Sequence, residues 1–216
     1  MISSSHSRFD FGTMASDYDA WYETDAGRLH DAAQKQAVLS MLPAASVGGE
    51  RKSLLDVGCG TGHWSVFFAE QGFEVTGIDI SPEMISTAQA RNAFHCRLVT
   101  ADAMKLPFLD GDFDVVSAMA ALEFVSDARR ACAEMMRCVK ARGHLIIGTL
   151  NRLARVNRER IAVRSEPYAS ARMFAPEELR KVLEPFGNLN IRLTTEQEPD
   201  GDNESGAFIV GTVIKP

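Results

Sequence analysis

The segment Leu54-Leu55-Asp56-Val57-Gly58-Cys59-Gly60-Thr61-Gly62 carries the most specific chemistry in the chain. Three glycines at alternate positions follow a short apolar run, and a residue without a Cβ lets a ligand come close to the backbone. A phosphate-gripping loop needs Gly-Lys and then Ser or Thr, whereas Gly62 is followed by His63 and Trp64. The dinucleotide fingerprint is spaced GxGxxG; here the spacing is GxGxG, with Asp56 just before it. An acid beside the loop repels a pyrophosphate and suits a ligand with a positive group, such as an ammonium or a sulfonium. Asp79, in Gly77-Ile78-Asp79-Ile80, follows the glycines by about twenty residues, where an acid accepts hydrogen bonds from ribose hydroxyls. A third acid, Asp102 in Thr100-Ala101-Asp102-Ala103, is placed to accept a hydrogen bond from a purine amino group.

Such residues need strands that end at one edge of a sheet. The pattern supplies them as alternating strands and helices: strand 53–57, helix 64–71 stopped by Gly72, strand 74–79, a helix capped by Ser81 with Pro82 at its first position, strand 97–100, strand 113–118, helix 127–139, and strand 144–150 after Gly143. This order implies a parallel sheet with helices on both faces. Ligands of such sheets bind beyond the carboxyl ends of the strands. The end of the chain departs from the alternation. A helix over 175–186 is followed by strands 189–196 and 207–214, joined by the polar loop 199–206, which together read as a hairpin. At the start, Ser3 to Ser7 reads as a disordered tail, 9–41 as helical and aromatic, and 43–52 as a loop.

The chain has 216 residues, which fits one domain. Within it, 1–42 reads as an N-terminal helical cap, 53–150 as the ligand-binding core, 151–173 as a substrate-side insertion, and 174–216 as the closing helix and hairpin. Net charge is -6, and the one basic run, Arg152 to Arg164, is interrupted by Glu159, so a nucleic-acid backbone is a poor partner. Cys59, Cys96, Cys132 and Cys138 form no CxxC pair, which suits reduced thiols in a reducing, cytoplasmic compartment. No Cys/His cluster has metal-ligand spacing. The first ten residues lack an apolar core for a signal peptide, and no apolar run has the length of a membrane span.

With these segments in order, the sequence resembles the class I S-adenosylmethionine-dependent methyltransferases, in particular the type 11, quinone-biosynthesis-like group. The matching stretches are LLDVGCGTG (54–62), VTGIDIS (75–81), ADAMKLPF (101–108), FDVVSAMAALEFVSD (113–127) and GHLIIGTL (143–150). The resemblance implies a Rossmann-like α/β fold with a seven-stranded, mostly parallel sheet of order 3-2-1-4-5-7-6, strand seven antiparallel. It implies S-adenosylmethionine as cofactor and S-adenosylhomocysteine as product. Asp56, Gly58 and Gly60 would face the methionine part; Asp79 and Ile80 would hold the ribose and flank the adenine; Asp102 and Ala103 would meet the adenine; Met119 would follow strand four beside the cofactor. Cys59, Met84 and, from the cap, Tyr18 and Trp21 complete the expected cofactor set. Many members carry a His-containing segment after strand four; here it reads Leu122-Glu123-Phe124-Val125, and no catalytic residue is carried over.

Displacement at a sulfonium has an activated, neutral leaving group, so alignment and water exclusion can supply much of the catalysis. The acceptor side is expected to be closed by the aromatic cap and by the 151–173 insertion, where Arg152, Arg155, Arg158, Arg160, Arg164 and Arg172 gather. The arginines suit either a solvated helix face or an anionic small-molecule acceptor such as a carboxylate. Two other functions remain open at this point. One is a non-catalytic protein that binds the cofactor or its product; the other is a nicotinamide-dependent oxidoreductase. A homodimer is equally open.

Overall fold

The computed structural model describes residues 6–91, 96–194 and 206–216. Seven strands form one sheet: β1 Ser53–Val57, β2 Glu74–Asp79, β3 Arg97–Thr100, β4 Phe113–Met119, β5 Val139–Leu150, β6 Asn188–Leu193 and β7 Phe208–Ile214. Their spatial order is β3-β2-β1-β4-β5-β7-β6, with β1 to β5 paired in parallel and β7 antiparallel to both its neighbours, β5 and β6. This is the expected order. The helices are α1 Asp25–Leu39, α2 His63–Glu70, α3 Pro82–Ala90, α4 Ala128–Cys138, α5 Arg155–Val163 and α6 Pro176–Leu183.

Side-chain alternation along the strands splits the core in two. Leu54, Val115, Ile146, Phe208 and Val210 pack on one face with Val38 of α1 and Trp64, Phe67 and Phe68 of α2. Leu55, Val57, Val116, Ala118, Leu145 and Ile147 pack on the other with Ala131, Cys132 and Met135 of α4 and Leu179 and Leu183 of α6. Helices therefore cover both faces, as central parallel strands with near-continuous apolar runs require.

Local chemistry sets several ends. Ser81 Oγ accepts from the Met84 amide at 3.2 Å and Pro82 opens α3. Asp127 caps α4 rather than belonging to it, accepting from the Arg130 amide at 3.1 Å. Three expectations change. First, β5 begins at Val139, five residues before His144: Arg142 adopts φ 61°, and the pairing with β4 slips from Phe113↔Val139 to Val115↔His144, so Gly143 sits in a bulge rather than before the strand. Second, the 43–52 loop contains a small hairpin, Ser46–Val47 against Glu50–Arg51, turned by Gly48 and Gly49 at φ 63° and 91°. Third, the cap is not one helix. Short 3₁₀ turns cover Phe11–Met14 and Tyr18–Glu23 before Thr24 caps α1 through the Gly27 amide at 2.9 Å. The expected hairpin loop 199–206 lies outside the described residues except for Gly206, as do Ser3 to Ser5 of the expected tail. Ser7 is ordered and pairs with Val125.

Candidate functional site

At the carboxyl end of β1 the backbone turns through Gly58, Gly60 and Gly62, at φ 74°, 53° and 91°. These values are strained for residues with a Cβ. A Cβ on Gly58 would lie 2.4 Å from that of Ala121, so the loop packs directly on the chain after β4. The amides of Gly58 and Cys59 both donate to the Ile78 carbonyl at 2.8 Å. The Gly60 amide donates to Asp79 Oδ2 at 2.9 Å, and Asp79 Oδ1 accepts from the Ser81 amide at 2.9 Å. One carboxylate thus ties the loop to the end of β2. Burial raises the Asp79 pKa, and the Ser81 and Gly60 amides pull it part of the way back.

A cavity opens against this loop. Of the expected cofactor residues, Gly58, Gly60, Asp79, Ile80, Met84, Asp102, Ala103 and Tyr18 line it together. Tyr18 comes from the cap and lies over the loop, its Cε1 3.9 Å from where a Gly60 Cβ would stand. Burial raises the pKa of the Tyr18 hydroxyl, and Tyr168, Asp79 and Glu123 raise it further.

Four expected residues do not line the cavity. Asp56 is 1% exposed and lies beneath the loop, because period-two alternation sends it to the same face as Leu54, under α2. There Ser65 Oγ and Ser117 Oγ donate to it at 2.7 and 3.2 Å. Burial pushes its pKa up to about 6 against those two bonds. Met119 is buried on that same face, while its neighbours Ala118 and Ala120 reach the cavity. Cys59 points inward, its Sγ 3.0 Å from where a Gly77 Cβ would stand, so its small size fits close packing. Trp21 faces α5: it stacks on His30 at 6.0 Å, and the Arg160 guanidinium sits 5.6 Å above its ring.

The sequence reading missed the N-terminal strap and the latches of the cap. His6, Ser7 and Phe11 line the cavity. His6 Nδ1 meets Asp102 Oδ2 at 2.5 Å, and Phe11 packs edge-on against Phe124 at 4.7 Å. Only the aromatic character of the cap pointed this way. His63, ambiguous in sequence, holds the cap: its Nε2 meets Asp31 Oδ1 at 2.7 Å and its ring stacks on Tyr22 at 3.9 Å. Burial alone would raise the Asp31 pKa, but hydrogen bonds from His63 and Lys35 hold it below the ordinary range. Asp19 adds another tie, accepting from Thr61 Oγ1 at 2.7 Å and pairing with Arg91.

Glu123 is fully buried behind the cavity wall. Its Oε1 accepts from the Leu150 amide at 2.5 Å, and its Oε2 has no hydrogen-bond partner among the described residues. Burial pushes its pKa up to about 7. Beyond it lies a second recess of about 870 Å³ lined by Arg152, Arg164, Tyr168, Arg172 and Met173 among others. Arg152 is held by both Glu178 oxygens at 3.0 Å, and Arg155 pairs with Glu159 along α5. Arg164 ends α5 in the left-handed conformation, and Arg172 sits 5.7 Å over the Phe174 ring.

The core that builds this site is shared with known proteins. Residues 55–147 match the family described as a methyltransferase domain. A malonyl-[acyl-carrier protein] O-methyltransferase of Salmonella typhimurium is 31% identical over 170 residues, 78% of this chain and 62% of that protein. A demethylmenaquinone methyltransferase of Staphylococcus aureus is 39% identical over 105 residues, 45% of this chain and 44% of that protein. The chain thus spans about half the length of the curated relatives it matches. Among solved structures, an S-adenosylmethionine-dependent methyltransferase of Thermotoga maritima shares the fold with a TM-score of 0.76 at 24% identity, covering 95% of this chain and 98% of that one. Among the described residues no helix is long and apolar enough to cross a membrane. The family match runs from the glycine loop's own strand into β5, the strands that carry the cavity, so the part of the chain that builds the site is similar to a methyltransferase domain.

Proposed function

We propose that the chain transfers a methyl group from S-adenosylmethionine to a small-molecule acceptor by direct displacement. One observation carries this reading: the cavity joins a loop that admits close backbone approach to two further strand ends, that of β2 bearing Asp79 and Ile80 and that of β3 bearing Asp102. The residues fit the cofactor. Gly58 and Gly60 would border the methionine portion, Asp79 is an acceptor for ribose hydroxyls, and Ile80, Met84 and Ala103 offer apolar surface to an adenine whose amino group Asp102 can meet. Asp56 and Asp79 place negative charge near the loop, which favours a cationic ligand over a pyrophosphate. When bound, S-adenosylmethionine supplies a methyl group already activated on a positive sulfur. The chain's own task is to align that group and exclude water, and Tyr18, Phe11 and the latched cap supply the cover.

The acceptor we propose is anionic and enters by the arginine-lined recess. Arg164 and Arg172 are better placed than Arg152 or Arg155, which Glu178 and Glu159 engage. A cytoplasmic location, supported by the buried thiols of Cys59, Cys132 and Cys138, and a homodimer are also proposals; light scattering tests the second. The function is tested by turnover: release of S-adenosylhomocysteine from S-adenosylmethionine across a panel of carboxylate and neutral acceptors. Turnover with carboxylates supports the reading. Tight cofactor binding with no turnover on any acceptor supports a non-catalytic binding protein instead.

A further inference from the structure

Asp102 enters the cavity already engaged. Its Oδ1 accepts from the Met104 amide at 2.9 Å, and its Oδ2 meets His6 Nδ1 at 2.5 Å. A carboxylate can only accept, so the proton of this bond belongs to the imidazole, with Nδ1 as the donor. His6 does not hang in solvent by chance. The Arg8 amide donates to the Phe124 carbonyl at 2.7 Å, and the Ser126 amide donates to the His6 carbonyl at 3.0 Å. Ser7 bridges Val125 in antiparallel fashion, and Phe11 rests on Phe124. The strap from His6 to Phe11 is therefore stitched to the segment after β4, and that stitching delivers the imidazole to the third strand end. His6, Ser7 and Phe11 stand in the cavity wall, so the strap bounds the space next to Asp102.

We propose that His6 is a positioning residue of the adenine subsite. A carboxylate offers about four lone-pair directions. Met104 and His6 occupy one on each oxygen, which fixes the carboxyl plane and leaves acceptor directions open toward the cavity. The ligand this arrangement selects is a purine carrying an exocyclic amino group, which donates to the held carboxylate. The inference rests on the adenosyl reading of the cavity and assigns to the N-terminal strap a direct part in it.

The test is calorimetric titration of the full chain with two ligands: S-adenosylhomocysteine, and its analogue in which hydrogen replaces the purine 6-amino group. Wild-type protein is compared with His6→Ala and His6→Asn; the asparagine amide can donate from nearly the position of Nδ1. The expected result is about a tenfold weaker Kd for S-adenosylhomocysteine in His6→Ala. His6→Asn should restore most of that loss, and the amino-less analogue should bind the three proteins alike. Equal weakening for both ligands would show that His6 only packs the strap, and would overturn the proposal. So would unchanged or tighter binding of S-adenosylhomocysteine by His6→Ala. Failure of the wild-type protein to bind S-adenosylhomocysteine at all would overturn the adenosyl reading, and this inference with it.

Discussion

The cavity at the glycine loop and the arginine-lined recess are built by different means. On the cofactor side the backbone does the positioning: amides of the glycine loop bond to the Ile78 carbonyl and the Asp79 carboxylate, and the neighbouring acids stand at fixed strand ends. Around the recess proposed for the acceptor long side chains do it. Arg152 reaches Glu178, and Arg160 lies over Tyr168 and Trp21 at 4.9 and 5.6 Å. Such ion pairs and ring contacts are half-exposed and individually weak. The contrast suits a domain that holds one ligand rigidly while the other wall varies. Substitutions on the cofactor side should therefore cost binding and stability together, whereas those on the acceptor side should cost recognition alone.

The sharpest break of that contrast is Gly58→Val. The position has φ 74° and a new Cβ would meet Ala121 at 2.4 Å, so the loop must move. Loss of measurable S-adenosylhomocysteine binding by calorimetry is expected, with destabilisation of about 2–4 kcal/mol in denaturant melts. Retention of both would mean that the loop is not rigid.

Glu123 stands on the seam between the two sides. Its carboxyl rises from an ordinary 4.5 to about 7 in the folded protein. Below both values it is protonated in either state and has no effect. Between them the unfolded chain ionises first, so stability falls as pH rises from about 4.5 to about 7, and the full cost, about 3 kcal/mol, stands above pH 7. Glu123→Gln should remove this slope, gaining on the wild type at pH 8 and matching it near pH 4. Parallel pH profiles from chemical denaturation would contradict the burial account.

Smaller effects belong to the recess and to the cap. Arg164→Ala should raise KM for a carboxylate acceptor about tenfold with the cofactor Kd unchanged. An unchanged KM would remove Arg164 from the anion site. His63→Ala should loosen the cap through loss of the Asp31 bond and the Tyr22 stack, lowering stability by about 1 kcal/mol. A loss no larger than that of an exposed substitution would mean the latch is idle.

The same contrast explains what could be read from the chain. The glycine spacing, Asp79, Asp102 and the alternation of strands are short-range signals, because residue type dictates backbone conformation or strand face directly. They sufficed for a parallel, helix-covered sheet closed by a hairpin, whereas the strand order and several of the eight expected residues that line the cavity came through the family resemblance. Asp56 and Met119 were misplaced for a local reason as well: each stands one residue from a cavity-lining neighbour, and alternation turns it to the α2 face. The strap was not legible. Ser3 to Ser7 is a polar stretch without periodicity, and its pairing partner lies more than a hundred residues away, at Val125. Arg142 hid the start of β5 in the same manner, since a left-handed arginine leaves no mark in composition.

The most direct measurement is a calorimetric comparison of S-adenosylhomocysteine with NAD on the wild-type protein and on Asp79→Asn. One-to-one binding of S-adenosylhomocysteine, no binding of NAD, and at least tenfold weaker S-adenosylhomocysteine affinity in Asp79→Asn are predicted. Binding of NAD in place of S-adenosylhomocysteine, or an affinity indifferent to Asp79, would contradict the adenosyl site.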